Sequence, residues 1–165
     1  MTCQFLQNPL RADWRRGYCG HVSKKSGKVA GIIDAFRGRR HDAHYLAYFE
    51  CFNTGLYYEA HDVLEELWLA DKTGPAGNFY KGLIQFAGAF VHLQRHGPQQ
   101  RLRPAARLFG IARANLNQYP TIFEDLNVSE VLRIIDDWVR ELERGDFETN
   151  PLKQLPVPKL RLAQP

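Results

Sequence analysis

Long apolar runs are missing from this 165-residue sequence. No stretch of about 18 apolar residues occurs, so we expect no transmembrane helix and no membrane partner. Cysteines are few: Cys3, Cys19 and Cys51 form no CxxC pair. Their odd number argues against a disulfide framework and predicts a reducing, cytoplasmic location. Residues 1–9 also lack the basic flank and apolar stretch of a signal peptide, which agrees with that location.

Signals for β-structure are missing too. The sequence shows no β-hairpin turn, no internal repeat and no heptad array. Instead, apolar residues recur at helical spacing in five stretches that glycine and proline interrupt. We therefore predict an all-α protein, a single multihelical domain of about five helices. These helices are expected at about 42–52, 56–70, 78–96, 104–118 and 129–144, with Asp42 and Ser129 as N-caps of the first and the last.

Charge is distributed unevenly along the chain. Residues 1–44 hold nine Lys/Arg and three Asp/Glu, whereas residues 45–165 hold thirteen and fifteen. We predict a basic, weakly structured N-terminal arm at 1–40, a helical domain at 41–146 and a Pro-rich extended tail at 147–165. A basic arm can contact nucleic acid. The slightly acidic body disfavours nucleic acid as the main partner.

The second predicted helix carries two polar residues on its apolar face. Positions three, four and seven apart share one side of a helix. His61 and Glu65 therefore lie with aromatic residues, and we predict that both turn inward, toward the core. The opposite side carries Glu59, Asp62 and Glu66, which we interpret as a solvated face without a function.

The third predicted helix is apolar nearly all round, which indicates a central, buried helix. Gly82 and other small residues on it allow another helix to approach closely. Gln85 and His92 are polar residues on the same side, and buried polar groups need partners. A short loop joins this helix to the second one, so we predict a central antiparallel hairpin. His61, Glu65, Gln85 and His92 would then meet in one interior cluster.

The chemistry of this four-residue cluster has three interpretations. Two histidines and a carboxylate can bind a divalent metal, with His61, Glu65 and His92 as ligands and open positions for water. Without metal, Glu65 can orient His61 for acid/base catalysis near neutral pH while Gln85 positions a substrate. A purely structural network that fixes helix register is the third interpretation. The cofactor is therefore unknown, with a divalent metal as the candidate.

Two blocks of sequence resemble a known family. Residues 48–68, YFECFNTGLYYEAHDVLEELW, and residues 81–87, KGLIQFA, followed by His92, are similar to the signature of an uncharacterised prokaryotic family, domain of unknown function 309. The resemblance covers about residues 42–118 and departs at Asp62, where glutamate is commoner. It implies a small, multihelical cytosolic fold and brings no established reaction.

Neither the cluster nor the family resemblance specifies a reaction. We expect a small cytosolic helical protein of unknown biochemical role with the interior cluster, and the sequence leaves open whether it is an enzyme. The first alternative is a metal-dependent or acid/base hydrolase-like enzyme. The second is a protein- or nucleic-acid-binding module, in which exposed aromatic residues around Tyr45, Tyr48 or Trp68 meet a partner. Partners are unknown, and a homo-oligomer is an open alternative.

Overall fold

A computed structural model describes residues 27–95 and 101–163, apart from the Lys28 side chain. It confirms the all-α prediction, and no helix within these residues is long and apolar enough to cross a membrane. In chain order the elements are α1 (Gly27–Ala35), α2 (Ala43–Asn53), α3 (Tyr57–Ala70), α4 (Gly77–Leu93), α5 (Leu102–Leu116), β1 (Ile122–Phe123), β2 (Leu126–Asn127), α6 (Val128–Arg144) and a 3-10 helix (Pro151–Lys153).

Helix α4 is the centre of the fold. Its phenylalanines, Phe79, Phe86 and Phe90, are fully buried and contact rings from other elements of the fold. The ring of Tyr57 at the start of α3 lies 5.0 Å from that of Phe90 near the end of α4. At the other end of the pair, Lys72 directly after α3 lies beside Gly77 at the start of α4. The two helices therefore run antiparallel, as the short connection between them predicted.

Local sequence explains where several helices begin. Asp42 is the N-cap of α2, as predicted, and its carboxylate accepts a hydrogen bond from the His44 amide at 2.7 Å. The prediction that Ser129 is the N-cap of α6 is wrong. Asn127 takes that position, and its side chain accepts from the Glu130 amide at 3.1 Å. Asparagine and serine are equally good N-cap residues, so residue type does not show which of them caps α6. The observed hydrogen bond identifies Asn127.

Helix α1 lies inside the segment 1–40, which we predicted to be weakly structured. Residues 27–35 of this segment form the helix, whereas residues 1–26 lie outside the described part of the chain. Val29 and Ile33 of α1 form a second, smaller core with residues of α2 and α3. A nine-residue helix is marginal alone, so this packing is what stabilises it.

A short hairpin was also not expected. Strands β1 and β2 pair antiparallel around Glu124 and Asp125, whose φ angles are +48° and +59°. Such turns usually contain glycine or asparagine, so no local signal marks this hairpin in the sequence. The C-terminal tail binds this region and α2. Leu162 pairs with Leu126, and the backbone of Leu160 exchanges two hydrogen bonds of 2.8 Å with the Asn53 side chain.

Candidate functional site

Helix α3 brings three metal-ligating side chains together. Nδ1 of His61 lies 3.3 Å from Oδ1 of Asp62, and Glu65 follows one turn later. One ligand atom from each residue can be chosen so that all three lie within 4.8 Å of one another. The His61 and Asp62 side chains are 12% and 24% exposed, so water reaches the group. We call these three residues the His61 group.

The His61 group differs from the predicted cluster in two ways. Asp62 belongs to it, although helical phase assigned that residue to a solvated face without a function. His61 and Glu65 are half-buried and do not belong to the fully buried core. The fully buried residues of α3 are Tyr57, Ala60, Val63 and Leu64, so the centre of its buried side is displaced from His61 and Glu65.

The polar residues of α4 lie in two environments. The Gln85 side-chain oxygen accepts a hydrogen bond of 2.7 Å from Nδ2 of Asn115 on α5. His92 is buried, with 6% of its surface exposed, as expected for an inward residue of this helix. It is not a member of the His61 group. A single cluster that joins Gln85 and His92 to His61 therefore stays a prediction.

One strip of α4 is not fully covered by neighbouring helices. Lys81, Gln85 and Gly88 share a helix side and are half-buried, and we call them the α4 strip. A Cβ atom added at Gly88 would lie 3.8 Å from Cδ2 of His61 and 3.5 Å from Cδ1 of Leu108. The α4 strip therefore runs between α3 and α5, with the His61 group at its edge.

The binding-module alternative predicted that three aromatic residues are exposed. This prediction is wrong for two of them. Tyr45 and Tyr48 are 1% and 0% exposed. The Tyr48 hydroxyl donates to the backbone oxygen of Leu83 at 2.9 Å, and burial raises its pKa well above the usual value of 10.0. Trp68 is half-buried, and Lys72 Nζ lies 5.4 Å from the centre of its ring. These tyrosines belong to the core.

The family model described as a domain of unknown function (DUF309) matches residues 45–103, which include the His61 group and the α4 strip. An uncharacterized protein from Aquifex aeolicus (strain VF5) is 28% identical over 95 residues. Those residues are 58% of this chain but only 27% of that bacterial protein. No solved structure matches the chain.

These findings confirm the family resemblance over residues 45–103. They attach no reaction to it, in agreement with the expected unknown biochemical role. The sequence did not single out Asp62, Gly88 or Asn115, which lie in or beside the His61 group and the α4 strip. Asp62 follows His61 directly in the chain, which was the available signal. The roles of Gly88 and Asn115 depend on how α3 and α5 sit against α4, and that packing has no local signature.

Proposed function

We propose that the protein binds a divalent transition metal at the His61 group and uses it in hydrolytic chemistry. The observation that carries this proposal is the convergence of one imidazole and two carboxylates, with ligand atoms within 4.8 Å of one another. Imidazole and carboxylate together suit zinc, manganese and iron. This ligand set replaces the predicted one, because Asp62 takes the place that we gave to His92.

Three ligands from one helix leave part of the metal coordination sphere open. Water or a substrate oxygen can occupy the open positions, and a bound zinc ion lowers the pKa of its water to about 7. The partial exposure of His61 and Asp62 supports access to such a site. The adjacent α4 strip supplies polar groups beside it.

Metal binding is tested with tag-free protein that has been stripped of metal. We expect zinc or manganese to raise the melting temperature of the wild type. Metal at a hundred times its Kd stabilises the folded state by about 2.7 kcal/mol. For a chain of this length, that corresponds to roughly 5–10 °C. His61→Ala and Glu65→Gln should each abolish most of this shift.

Glu59→Gln is the matched control, because Glu59 lies on the same helix but outside the His61 group. This variant should keep the full shift. If metal leaves the melting temperature of the wild type unchanged, or if Glu59→Gln and Glu65→Gln lose the shift equally, the metal site is wrong. A loss of stability in metal-free Glu65→Gln, without any metal effect in the wild type, would support the structural network instead.

Metal-free acid/base catalysis is the second candidate. The distance of 3.3 Å between His61 Nδ1 and Asp62 Oδ1 favours it, because a carboxylate at one ring nitrogen orients the other nitrogen as a base. Hydrolysis of nitrophenyl acetate and nitrophenyl phosphate, followed with and without EDTA, separates the two candidates. Activity that survives EDTA but is lost in His61→Ala supports the dyad, and activity that EDTA abolishes supports the metal.

The cytoplasmic location belongs to the same proposal. Cys51 is a thiol buried in the main core, which suits a reducing compartment. Contact with nucleic acid through the basic arm stays a prediction, because most of that arm lies outside the described residues.

A further inference from the structure

The α4 strip offers hydrogen-bond donors beside the His61 group. We infer that it binds a small oxyanion, a carboxylate or a phosphate, with Lys81 and Gln85 as the anion-binding residues. This inference rests on the proposed metal site, since the same ligand would reach the metal with its other end. It also gives the site a substrate class.

Asn115 determines which atoms of the Gln85 amide remain available to a ligand. Nδ2 of Asn115 donates to Oε1 of Gln85 at 2.7 Å, so the acceptor of that amide is already engaged. The amide nitrogen of Gln85 has no acceptor in the described residues. Because Gln85 is half-buried, this nitrogen needs a ligand oxygen or water as its partner. Asn115 is thus a positioning residue that turns Gln85 into a donor.

Lys81 lies one turn before Gln85 on the same side of α4. It is half-buried, and no carboxylate within residues 27–95 and 101–163 forms an ion pair with it. Its ammonium group carries three N–H donors, which a ligand anion can engage. An oxyanion accepts hydrogen bonds. One such group can therefore accept from the N–H donors of Lys81 and from those of the Gln85 amide.

Helix geometry limits the size of the ligand. Lys81 and Gly88 are seven residues apart, so their Cα atoms are about 10 Å apart along the axis. A Cβ atom at Gly88 would be in van der Waals contact with His61, so His61 lies directly beside this end of the α4 strip. Gln85 lies between Lys81 and Gly88, three residues before the glycine, so an anion held there needs only a few further heavy atoms to approach the His61 group.

Inorganic phosphate and succinate are the two probes, titrated separately into full-length protein by calorimetry. The titrations are done in EDTA and again with saturating zinc. We expect at least one probe to bind in EDTA, and to bind more tightly with zinc. Lys81→Met and Gln85→Leu should each weaken binding about tenfold, since each removes a charge-assisted hydrogen bond. Asn115→Ala should weaken it by a smaller factor.

Lys153→Met is the control, because Lys153 is an exposed lysine on the 3-10 helix and does not belong to the α4 strip. The Lys153→Met variant should bind phosphate and succinate with the same affinity as the wild type. Circular dichroism and the melting temperature without probe show that each variant is folded. Phosphate binding alone assigns a phosphate ligand, and succinate binding alone assigns a carboxylate.

Two outcomes separate this inference from the metal proposal. If the protein binds zinc but neither probe, or if Lys153→Met weakens probe binding as much as Lys81→Met, the anion site is wrong and the metal site stands. If a probe binds in EDTA and depends on Lys81 while zinc does not bind, the anion site stands and the metal site is wrong.

Discussion

Replacing Gly82 with alanine adds a methyl group where α5 lies directly against α4. The new Cβ would lie 2.7 Å from Cγ and 3.0 Å from Cδ2 of Leu116, and 3.3 Å from the backbone oxygen of Ala112. Leu116 is itself fully buried, so its side chain has little room to rotate away. Either α5 must shift or the leucine must adopt a strained rotamer.

Two opposing terms set the size of the effect. Alanine is more favourable than glycine within a helix by about 0.8–1.0 kcal/mol. Overpacking of a filled core costs about 1–3 kcal/mol, and the short contacts at Gly82 place this variant in the upper part of that range. We therefore expect Gly82→Ala to lower the free energy of unfolding by about 1–2 kcal/mol.

Urea denaturation measures this change, and Gly110→Ala is its matched control. Gly110 lies in α5, and a Cβ there would meet no atom within 4 Å. The control should gain up to about 1 kcal/mol from helix propensity alone. The two variants should therefore move in opposite directions. If Gly82→Ala is as stable as Gly110→Ala, the tight packing of α5 on α4 is incorrect and the site built on it must be revised.

Two further predictions test other parts of the fold. Asn150 is 4% exposed and donates to the backbone oxygen of Leu93 at 2.6 Å, so Asn150→Ala should lower the free energy of unfolding by about 1–3 kcal/mol in urea. Burial raises the pKa of Tyr80 from 10.0 to about 12. Its neutral form is thus favoured in the folded state, and this stabilisation is complete below pH 10 and lost as the pH rises toward 12. Melting temperatures measured across this range should fall less in Tyr80→Phe than in the wild type.

The fold was largely predictable because α2 to α6 each bury one side. Helical spacing of apolar residues marked these five helices, and the nearly uniform apolarity of α4 marked it as central. Helix α1 was missed, because it has only nine residues and gains its stability from contacts with α2 and α3. The hairpin was missed because Glu124 and Asp125 adopt positive φ angles that the surrounding structure imposes.

The candidate site was predictable only in part. Spacing by four residues identified His61 and Glu65 as neighbours on one side of α3. Asp62 was assigned to the other side, because helical phase describes where a side chain starts and not how far it reaches. The hydrogen bond from Asn115 to Gln85 depends on the register between α4 and α5, and neither helix specifies this register by itself.

Gly88 shows that packing alone does not account for the sequence of α4. At Gly82 a Cβ atom would overlap with Leu116, so close helix packing requires glycine. At Gly88 the nearest atoms would be 3.5 and 3.8 Å away, which are ordinary van der Waals distances. Alanine would therefore fit and would stabilise the helix by about 0.8–1.0 kcal/mol.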